Sequence, residues 1–412
     1  ISKTLENLPE LRSLNISAPL TAMTIALAER LDGLPRHLSM HPCAIVLSDG
    51  GLLDRTPLLS NASGYPMVVF DKDDVEAIGL LKLDVLGVRM QSAISYALTE
   101  IERTEDVSVD IDAVPLDDPD TYALIQSTNT LGIFQIESPG QRELVGKLEP
   151  KTFTDLIIDI SLFRPGPVKS DMITPFLKAR HGWAKAQIIH PDLYEILRDT
   201  EGVVVFHEQV IEIIATMTGV SLASADEKRR ALGDRDGQQE VCDWFFPAAT
   251  AKGYELPIVN EIWEVLRAFA SFGFCKAHAA AFALPTYQSA WLKTHYPAAF
   301  LAGVLTHDPG MYPRRLIVDE VRQMGLKVAP LDINESDALY RVEENGSAVR
   351  IALSTITKIS DGEVASIIAG RPYIDLTDFV RRSGASAPVT ESAILTGAFD
   401  RLHTDVNRRD LL

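Results

Sequence analysis

Cysteine is scarce in this chain, with 3 among 412 residues, and the three lie far apart at Cys43, Cys242 and Cys275. An odd number of scattered cysteines argues against a disulfide framework and predicts reduced thiols in the cytoplasm. No apolar run approaches the roughly 20 residues that a membrane-spanning helix needs, and no basic segment followed by an apolar stretch opens the chain. These absences predict a soluble, cytoplasmic protein without a membrane partner.

Positive charge is also in deficit, because 39 Lys and Arg residues stand against 57 Asp and Glu residues, a formal net charge of −18. An acidic protein repels phosphate at long range, so broad electrostatic attraction to nucleic acid is disfavoured, although a local basic groove is still allowed. Apolar residues, by contrast, make up 46% of the chain, which is enough for a sizeable core. A chain of this length is expected to divide into two or three domains.

The stretch Gly79–Gly87 has the period-two pattern of a strand, with its leucines and valine on one face and Lys82 and Asp84 on the other. Side chains two residues apart on a strand stand roughly 7 Å apart, so the lysine can hold a phosphate and the aspartate a divalent cation. This arrangement is typical of phosphoryl transfer, but from this stretch alone an ordinary ion pair on a half-exposed strand is the simpler explanation. An amphipathic helix follows, and its N-terminus is expected beside Asp84, where it would favour phosphate oxygens.

A possible zinc site is suggested by His37, His41 and Cys43, since imidazole and thiolate are the ligands that zinc prefers. A structural zinc site needs a fourth ligand, and no second cluster with ligand spacing follows in the sequence. The pattern therefore favours a buried strand over residues 43–47 with the histidines at its entrance.

Most of the remaining chain has helical patterns, beginning with residues 1–35 and resuming from Asp117. Ser138 followed by Pro139 predicts a helix start. The segment 224–227 has the pattern of a capping box that opens a further helix. Alternating or continuous apolar runs predict short strands at 67–70, 131–138, 202–206, 340–342 and 349–353.

Basic residues fall at two places that suit phosphate groups. Arg164 and Lys169 flank a rigid Pro-Gly-Pro turn, although a helix-to-helix corner explains the prolines equally well. Arg229 and Arg230 follow one another on a predicted helix, where Asp226 is spaced to pair with Arg230 along the helix surface.

The alanine-rich stretch from Phe274 is expected to form a helix with Lys276 at its start and with His278 and Phe282 one turn apart. An imidazole and a phenyl ring on such a helix can flank a planar base, while the lysine reaches a phosphate. A tightly packed core helix is the alternative interpretation.

Five motifs in this order resemble bacterial C-family DNA polymerases, which comprise the replicative alpha subunit and its error-prone paralogue. The motifs are Gly79-Leu-Leu-Lys-Leu-Asp-Val-Leu-Gly87, Phe134-Gln-Ile-Glu-Ser138, Leu162-Phe-Arg-Pro-Gly-Pro167, Phe274-Cys-Lys-Ala-His-Ala-Ala-Ala-Phe282 and Trp291-Leu-Lys-Thr-His-Tyr-Pro297. The alanine-rich motif and Arg36-His-Leu-Ser-Met-His-Pro-Cys43 are similar to the error-prone, damage-inducible branch. The replicative branch has Phe-Asn-Lys-Ser-His-Ser-Ala-Ala-Tyr in place of residues 274–282.

The resemblance implies an α+β, mostly helical fold in three parts. Residues 1–89 would form the end of the thumb and a nucleotidyltransferase-type palm segment, residues 90–335 the fingers, and residues 336–412 the start of a helix-hairpin-helix DNA-binding region. The chain opens with Ile1 in mid-pattern, so we expect an internal piece of a longer protein.

The resemblance also implies the site residues. Three aspartates would hold two Mg²⁺ ions, of which Asp84 matches the third, with Lys82 beside it as a phosphate contact. The first two would lie upstream of Ile1, so the isolated chain is expected to be inactive. Arg229 and Arg230 match residues near the incoming triphosphate, and Lys276 and His278 match residues near the nascent base pair.

The expected function is error-prone, DNA-damage-induced DNA synthesis, in replication and repair, by two-metal transfer of deoxynucleotides onto a primer 3′ end. The expected partners are primer-template DNA, deoxynucleoside triphosphates and, in the longer protein, the sliding clamp and mutasome accessory proteins. Two alternatives stay open: a non-catalytic DNA-binding fragment or pseudoenzyme, and a metal-dependent phosphohydrolase built on Asp84, His37 and His41.

Overall fold

The computed structural model describes residues 18–34, 40–41, 43–61, 64–163, 173–233, 235–269 and 274–412. The chain divides into two compact units, one ending at Gly87 and the other beginning at Val88. Helices dominate and the sheets are small, so the predicted α+β, mostly helical class is confirmed.

The first unit contains short elements around two small antiparallel sheets, β1 with β4 and β2 with β3. Its elements are α1 Pro19–Leu31, β1 Ala44–Leu47, α2 Leu52–Arg55, β2 Leu58–Ser60, β3 Pro66–Val68, α3 Lys72–Ala77 and β4 Leu81–Asp84. Asp71 begins α3 because its carboxylate accepts the backbone N–H groups of Asp73 and Asp74. The acidic run before β4 is therefore the capped start of a helix.

Leucine and isoleucine side chains on β1 and β4 are largely exposed, contrary to the buried strand expected over residues 43–47. Ile45 and Leu47 on β1 are 52% and 46% exposed, and Leu81 on β4 is 57% exposed. A two-stranded sheet offers each side chain too few neighbours to bury it. On α1, the predicted helix is present, but Leu20 and Met23 of its apolar stripe are exposed.

The second unit is built from packed helices and one three-stranded sheet, ordered β5-β7-β6, with β5 and β7 parallel. Its α-helices are α4 Arg89–Glu105, α5 Pro119–Gln126, α6 Pro139–Leu148, α7 Phe153–Leu162, α8 Ile173–Arg180, α9 Tyr194–Leu197, α10 His207–Thr218, α11 Leu222–Ala231, α12 Arg235–Ala251, α13 Leu256–Phe269, α14 Lys276–His295, α15 Pro297–His307, α16 Arg314–Gln323, α17 Asp361–Ala369, α18 Leu376–Arg382, α19 Ala387–Thr396 and α20 Arg408–Leu411. The strands are β5 Lys327–Ala329, β6 Arg341–Glu343 and β7 Ala348–Arg350, and short 3₁₀ turns cover Pro191–Leu193, Arg198–Thr200 and Leu353–Thr355.

Four apolar clusters form the core of this unit. The first joins α5, α6 and α7 to α14, and the second joins α4, α15 and α16 to the sheet. The third lies among α9 to α13, and the fourth holds the C-terminal helices together. The predicted stripe on α4 is confirmed, since Met90, Ile94 and Ala97 are buried in the second cluster.

Two predicted strands are absent because side chains satisfy the backbone groups that a strand partner would have used. Residues 131–138 form turns, in which Thr130 donates its hydroxyl to the carbonyl of Ile136 at 2.6 Å. In the segment 202–206, Gln209 Oε1 accepts the N–H groups of Val205 and Phe206, and a single bridge joins Phe206 to Phe274.

The predicted capping box at 224–227 is also wrong. Helix α11 begins three residues earlier, where the hydroxyl of Ser221 accepts the N–H of Ser224. At α6, by contrast, Ser138 is the N-cap and Pro139 the first helical residue, as predicted.

Candidate active site

Lys82 and Asp84 lie on one face of β4 and contact each other, which confirms their predicted shared face. The pairing of β4 with β1 sets Val46 opposite Lys82 and Ala44 opposite Asp84. Lys82 Nζ donates to both carboxylate oxygens of Asp84, at 2.7 and 2.8 Å. This hydrogen bond lowers the pKa of Asp84 below its usual value, so the carboxylate is held ionised.

The two groups are also accessible, with side chains 28% and 45% exposed for Lys82 and Asp84. A phosphate could therefore compete with Asp84 for the ammonium group, and a divalent cation could compete with Lys82 for the carboxylate. The arrangement allows phosphate and metal binding without any buried charge being left unpaired.

His41 and Cys43 lie next to this pair. His41 Nδ1 is 4.0 Å from Asp84 Oδ1 and 3.6 Å from Cys43 Sγ. Within the described part of the chain, no group of three or more His, Cys, Asp or Glu side chains is arranged to hold a metal ion. His37 lies outside the described residues. The zinc site and the phosphohydrolase alternative therefore gain no support from the geometry seen here.

Arg229 and Arg230 are brought together on α11 by one carboxylate. Asp226 Oδ1 accepts Arg229 Nε at 2.8 Å, and Asp226 Oδ2 accepts Arg230 Nε at 2.9 Å. The hydrogen bond from Arg229 lowers the pKa of Asp226, and that from Arg230 adds to the effect. Arg230 also places its terminal Nη2 at 2.8 Å from Asp226 Oδ2, and its side chain is 74% exposed, so a further anion can approach this guanidinium group from the solvent side.

Lys276 begins α14, as predicted, but an internal carboxylate already occupies the amide at this end. Glu208, on α10, accepts the backbone N–H of Lys276 at 3.0 and 2.9 Å. Burial alone would raise the pKa of Glu208, but this amide contact acts together with further hydrogen bonds, including one from the Cys275 thiol, and the pKa is lowered overall. The ammonium group of Lys276 lies 5.5 Å from the centre of the Phe206 ring.

His278 belongs to a row of rings on α14 and the turn before α6. Its imidazole is 4.4 Å from the Phe282 ring and 5.2 Å from the Phe274 ring, measured between centroids. Phe134, in the turn segment 131–138, stacks on Phe282 at 5.6 Å. These rings line an open cleft of about 490 Å³, whose other lining residues come mainly from α6, α7 and the loop 309–311.

A buried ionic network behind this cleft was missed by the sequence reasoning. Lys293 Nζ contacts Glu320 Oε1 at 2.7 Å and donates to the carbonyls of Asn129 and Leu131 at 2.7 and 2.8 Å. Glu137 accepts the N–H groups of Met311 and Gly132, at 2.7 and 3.1 Å, and burial raises its pKa. Lys293 and Glu137 both lie in the motifs quoted above, and a lysine within the mostly apolar second half of α14 was the available signal.

Two predicted site residues cannot be placed. Arg164 and Lys169, the candidate DNA contacts beside the Pro-Gly-Pro turn, lie outside the described residues. Among the helices that are described, none is long and apolar enough to cross a membrane.

Three protein-family models match the chain. They are the bacterial DNA polymerase III alpha NTPase domain over residues 1–87, the bacterial DNA polymerase III alpha subunit finger domain over residues 90–253, and a helix-hairpin-helix motif over residues 325–411.

Curated relatives match along nearly the whole chain. An error-prone DNA polymerase of Symbiobacterium thermophilum is 36% identical across 98% of this chain and 39% of its own length. DNA polymerase III subunit alpha of Pasteurella multocida is 36% identical across 96% of the chain, and that of Escherichia coli is 33% identical across 98%. The chain spans 36% of the length of each of these two relatives. Ordered motifs, family models and relatives agree, and the chain belongs to the bacterial DNA polymerase III alpha family, the C-family of DNA polymerases.

Proposed function

We propose that this chain is part of an error-prone DNA-directed DNA polymerase that adds deoxynucleotides to a primer 3′ end during damage-induced DNA synthesis. The observation that carries the proposal is the accessible Lys82–Asp84 pair on β4, inside the region that matches the polymerase NTPase domain. The name of the Symbiobacterium thermophilum relative supports the error-prone assignment.

In this proposal Asp84 is a metal ligand and Lys82 a phosphate contact. A two-metal site needs several carboxylates, and the described residues bring one, with no cluster of three potential ligands. They are therefore not a complete Mg²⁺ site, and the proposal requires carboxylates from elsewhere in the polymerase. When bound, Mg²⁺ would neutralise phosphate charge. The part that this chain supplies is an ionised Asp84 carboxylate and a Lys82 ammonium group held beside it.

The incoming nucleotide is proposed to bind residues of the second unit. Arg229 and Arg230, both hydrogen-bonded to Asp226, would contact the triphosphate. Lys276 and His278 would lie near the nascent base pair, and the exposed position of His278 on α14 supports this role. The apolar residues of α14 that replace polar ones of the replicative branch would contribute to low selectivity.

Domains and partners follow in the same proposal. Residues 1–89 would be thumb and palm, residues 90–335 fingers, and residues 336–412 the start of the DNA-binding region. The helix-hairpin-helix match over residues 325–411 supports contact with primer-template DNA, to which Arg164 and Lys169 would add. The sliding clamp and mutasome accessory proteins would bind the longer protein, in the cytoplasm.

The test is primer extension with Mg²⁺ and all four deoxynucleoside triphosphates, run on this 412-residue chain and on the longer polymerase that contains it. We expect extension by the longer protein and none by the isolated chain, because one carboxylate is too few. Failure of the longer protein to extend any primer would overturn the proposed function. Robust extension by the isolated chain would overturn the assignment of its metal ligands.

A further inference from the structure

The start of α14 is held by a carboxylate from another helix. The residue before its first turn is Cys275, whose thiol makes no capping hydrogen bond to that turn, and cysteine is not among the residue types that cap helices well. Instead Glu208, in the first turn of α10, accepts the backbone N–H of Lys276 with both carboxylate oxygens, at 3.0 and 2.9 Å. The Cys275 thiol also donates to Glu208 Oε1 at 3.5 Å. The capping group of α14 therefore lies on α10.

The same two helix starts are joined by backbone contacts. A single bridge pairs Phe206 with Phe274, and the N–H of His207 donates to the carbonyl of Phe274 at 2.8 Å. Glu208 adds a charged contact to the first turn of α14 itself. Burial raises the pKa of Glu208, but the hydrogen bonds from α14, led by the N–H of Lys276, lower it overall, so the carboxylate is ionised at neutral pH.

The contact joins two groups of proposed nucleotide ligands. The first turn of α14 carries Lys276 and His278. Helix α10 packs on α11 in the third apolar cluster, and α11 carries Arg229 and Arg230. Glu208 therefore links the residues proposed to lie near the nascent base pair to the helix pair that carries the proposed triphosphate contacts.

We propose that Glu208 is a positioning residue that sets where the first turn of α14 lies relative to the helix pair α10–α11. The nucleotide-binding roles of the residues on α14 and α11 rest on the proposed function, whereas the contact from Glu208 to α14 rests on the described structure alone. Glu208 acts through Lys276 and His278, so its loss weakens nucleotide binding by letting their turn move.

The first test measures nucleotide use by the longer polymerase. Glu208→Ala should raise KM for the incoming nucleotide roughly tenfold, because misplaced binding groups lose much of their effect. Glu208→Gln keeps an oxygen that accepts an N–H and should stay closer to the wild type. Glu212→Ala removes an exposed carboxylate one turn later on α10 and is the matched control, with an unchanged KM. An unchanged KM for Glu208→Ala would overturn the proposal.

A second substitution separates positioning from simple capping. Serine is close in size to cysteine and caps helices well, so Cys275→Ser supplies a cap from within α14 but does not restore the link to α10. In the double variant of Glu208→Ala and Cys275→Ser, the midpoint of thermal unfolding should recover while KM stays raised. Recovery of KM together with the midpoint would show that Glu208 merely caps the helix, and would overturn the proposal.

The contact itself is tested on the 412-residue chain by alkylation with iodoacetamide, followed by peptide mass mapping. Cys275 is exposed, and Glu208→Ala removes both its hydrogen-bond acceptor and a neighbouring negative charge. Its alkylation rate should rise roughly three- to tenfold, since the thiolate is the nucleophile and a nearby negative charge disfavours it. Cys43 and Cys242 are internal references and should react as in the wild type.

An unchanged alkylation rate at Cys275 would overturn the proposal, because the contact with Glu208 would then be absent in solution. This measurement needs no primer extension. A longer polymerase that extends no primer would therefore overturn the proposed function without altering the alkylation result, whereas normal extension with an unchanged KM for Glu208→Ala would overturn the positioning role alone.

Discussion

Two lysine–carboxylate pairs in this molecule share one contact distance and differ in their surroundings. Lys82 and Asp84 meet at 2.7 Å with side chains 28% and 45% exposed, whereas Lys293 and Glu320 meet at 2.7 Å with side chains 0% and 10% exposed. Breaking an exposed pair costs little stability when one partner binds a ligand instead, since water screens the charge of the other partner. A buried pair has no such alternative, so removal of one partner leaves an uncompensated charge.

The two lysines also differ in what else they hold. Lys293 donates to the carbonyls of Asn129 and Leu131 and so fixes the turn segment that presents Phe134 to the cleft. Burial lowers the pKa of Lys293, and the negative charge of Glu320 opposes this shift. Lys82 has Asp84 as its hydrogen-bond partner on β4. Burial, rather than distance, separates the pair suited to ligand binding from the pair suited to structure.

The largest effect is expected at the exposed pair, through activity. In the longer polymerase, Asp84→Asn should reduce primer extension on the order of 10³-fold or more, because it removes the proposed metal ligand without changing volume. Stability and DNA binding should be largely unchanged, since the carboxylate is accessible. Single-turnover extension and DNA-binding titrations measure the two quantities. Near-normal turnover would make the strand merely structural.

Variants at the proposed phosphate contacts test whether their effect on activity differs from that of Asp84→Asn. Lys82→Ala, Arg229→Ala and Arg230→Ala should mainly raise KM for the incoming nucleotide, because each removes a proposed phosphate contact rather than the proposed metal ligand. A fall in the extension rate at saturating nucleotide as large as that of Asp84→Asn would contradict the division of roles.

The second prediction concerns the buried pair. Lys293→Met should lower the free energy of unfolding by about 3–5 kcal/mol, because Glu320 and two carbonyls lose their cation. Urea denaturation of the 412-residue chain measures it. Lys82→Met is the matched control, and its midpoint should stay close to that of the wild type.

A double variant separates charge from packing. Lys293→Met combined with Glu320→Leu should recover much of the loss, since apolar side chains of similar volume can replace a buried pair. If Lys293→Met lowered the free energy of unfolding no more than Lys82→Met does, the proposed difference between the buried and the exposed pair would be wrong.

The exposed pair could be predicted from the sequence and the buried pair could not, for a physical reason. Lys82 and Asp84 are two residues apart on one strand, so local periodicity alone brings them together. Lys293 meets Glu320, 27 residues away, and carbonyls more than 160 residues away, so its role depends on tertiary packing. Helices with clear stripes, such as α4, were likewise predictable.

Tertiary contacts also explain why the structure lacks a strand that the sequence predicted. Residues 131–138 alternate in polarity like a strand, but Thr130 and Lys293 satisfy backbone carbonyls there that a neighbouring strand would have used. The sequence also could not predict that Gln141 on α6 has a buried side-chain oxygen without a hydrogen-bond partner among the described residues, because an unpartnered atom is a property of the packed structure.

The third prediction concerns a buried carboxyl that has no cation at all. Asp159, on α7, is fully buried, and both its oxygens lack a hydrogen-bond partner among the described residues. Burial raises its pKa well above the usual value, so the folded protein keeps this proton to a higher pH than the unfolded chain does. Below the usual Asp range both states are protonated. As pH rises through the folded pKa, folding stability is progressively lost.

Asp159→Asn should therefore raise the free energy of unfolding by about 1–2 kcal/mol at pH 8, and the gain should shrink towards pH 4. Urea denaturation across this pH range measures it. Asp155→Asn on the same helix is the matched control of opposite sign. Burial would raise the pKa of Asp155, but Arg180 at 2.7 Å and the N–H of Lys151 lower it overall. Loss of the Asp155 carboxylate should destabilise the protein at neutral pH, and this effect should become smaller as pH falls.

An Asp159→Asn variant that is less stable than the wild type at pH 8 would contradict the raised pKa of Asp159.

The smallest expected effect contrasts an exposed with a buried position on α14. Ala277 and Ala279 both stand where the replicative branch has serine, yet Ala277 is exposed and Ala279 is fully buried among the residues of the first core cluster. Under the proposed function, a hydroxyl at the exposed Ala277 position would be accessible to the nascent base pair, whereas a hydroxyl at Ala279 would meet apolar side chains. In the longer polymerase, Ala277→Ser should therefore lower the misincorporation ratio by roughly fivefold or less, the value of about one hydrogen bond. Ala279→Ser should leave that ratio unchanged and cost stability instead, because it buries a hydroxyl in an apolar environment. Single-nucleotide misincorporation assays with each variant measure the ratio, and thermal unfolding measures the cost. Equal ratios for wild type and Ala277→Ser, with normal turnover of the correct nucleotide, would place infidelity in another part of the enzyme. A lower misincorporation ratio for Ala279→Ser would show that burial does not decide which residues of this helix influence selectivity.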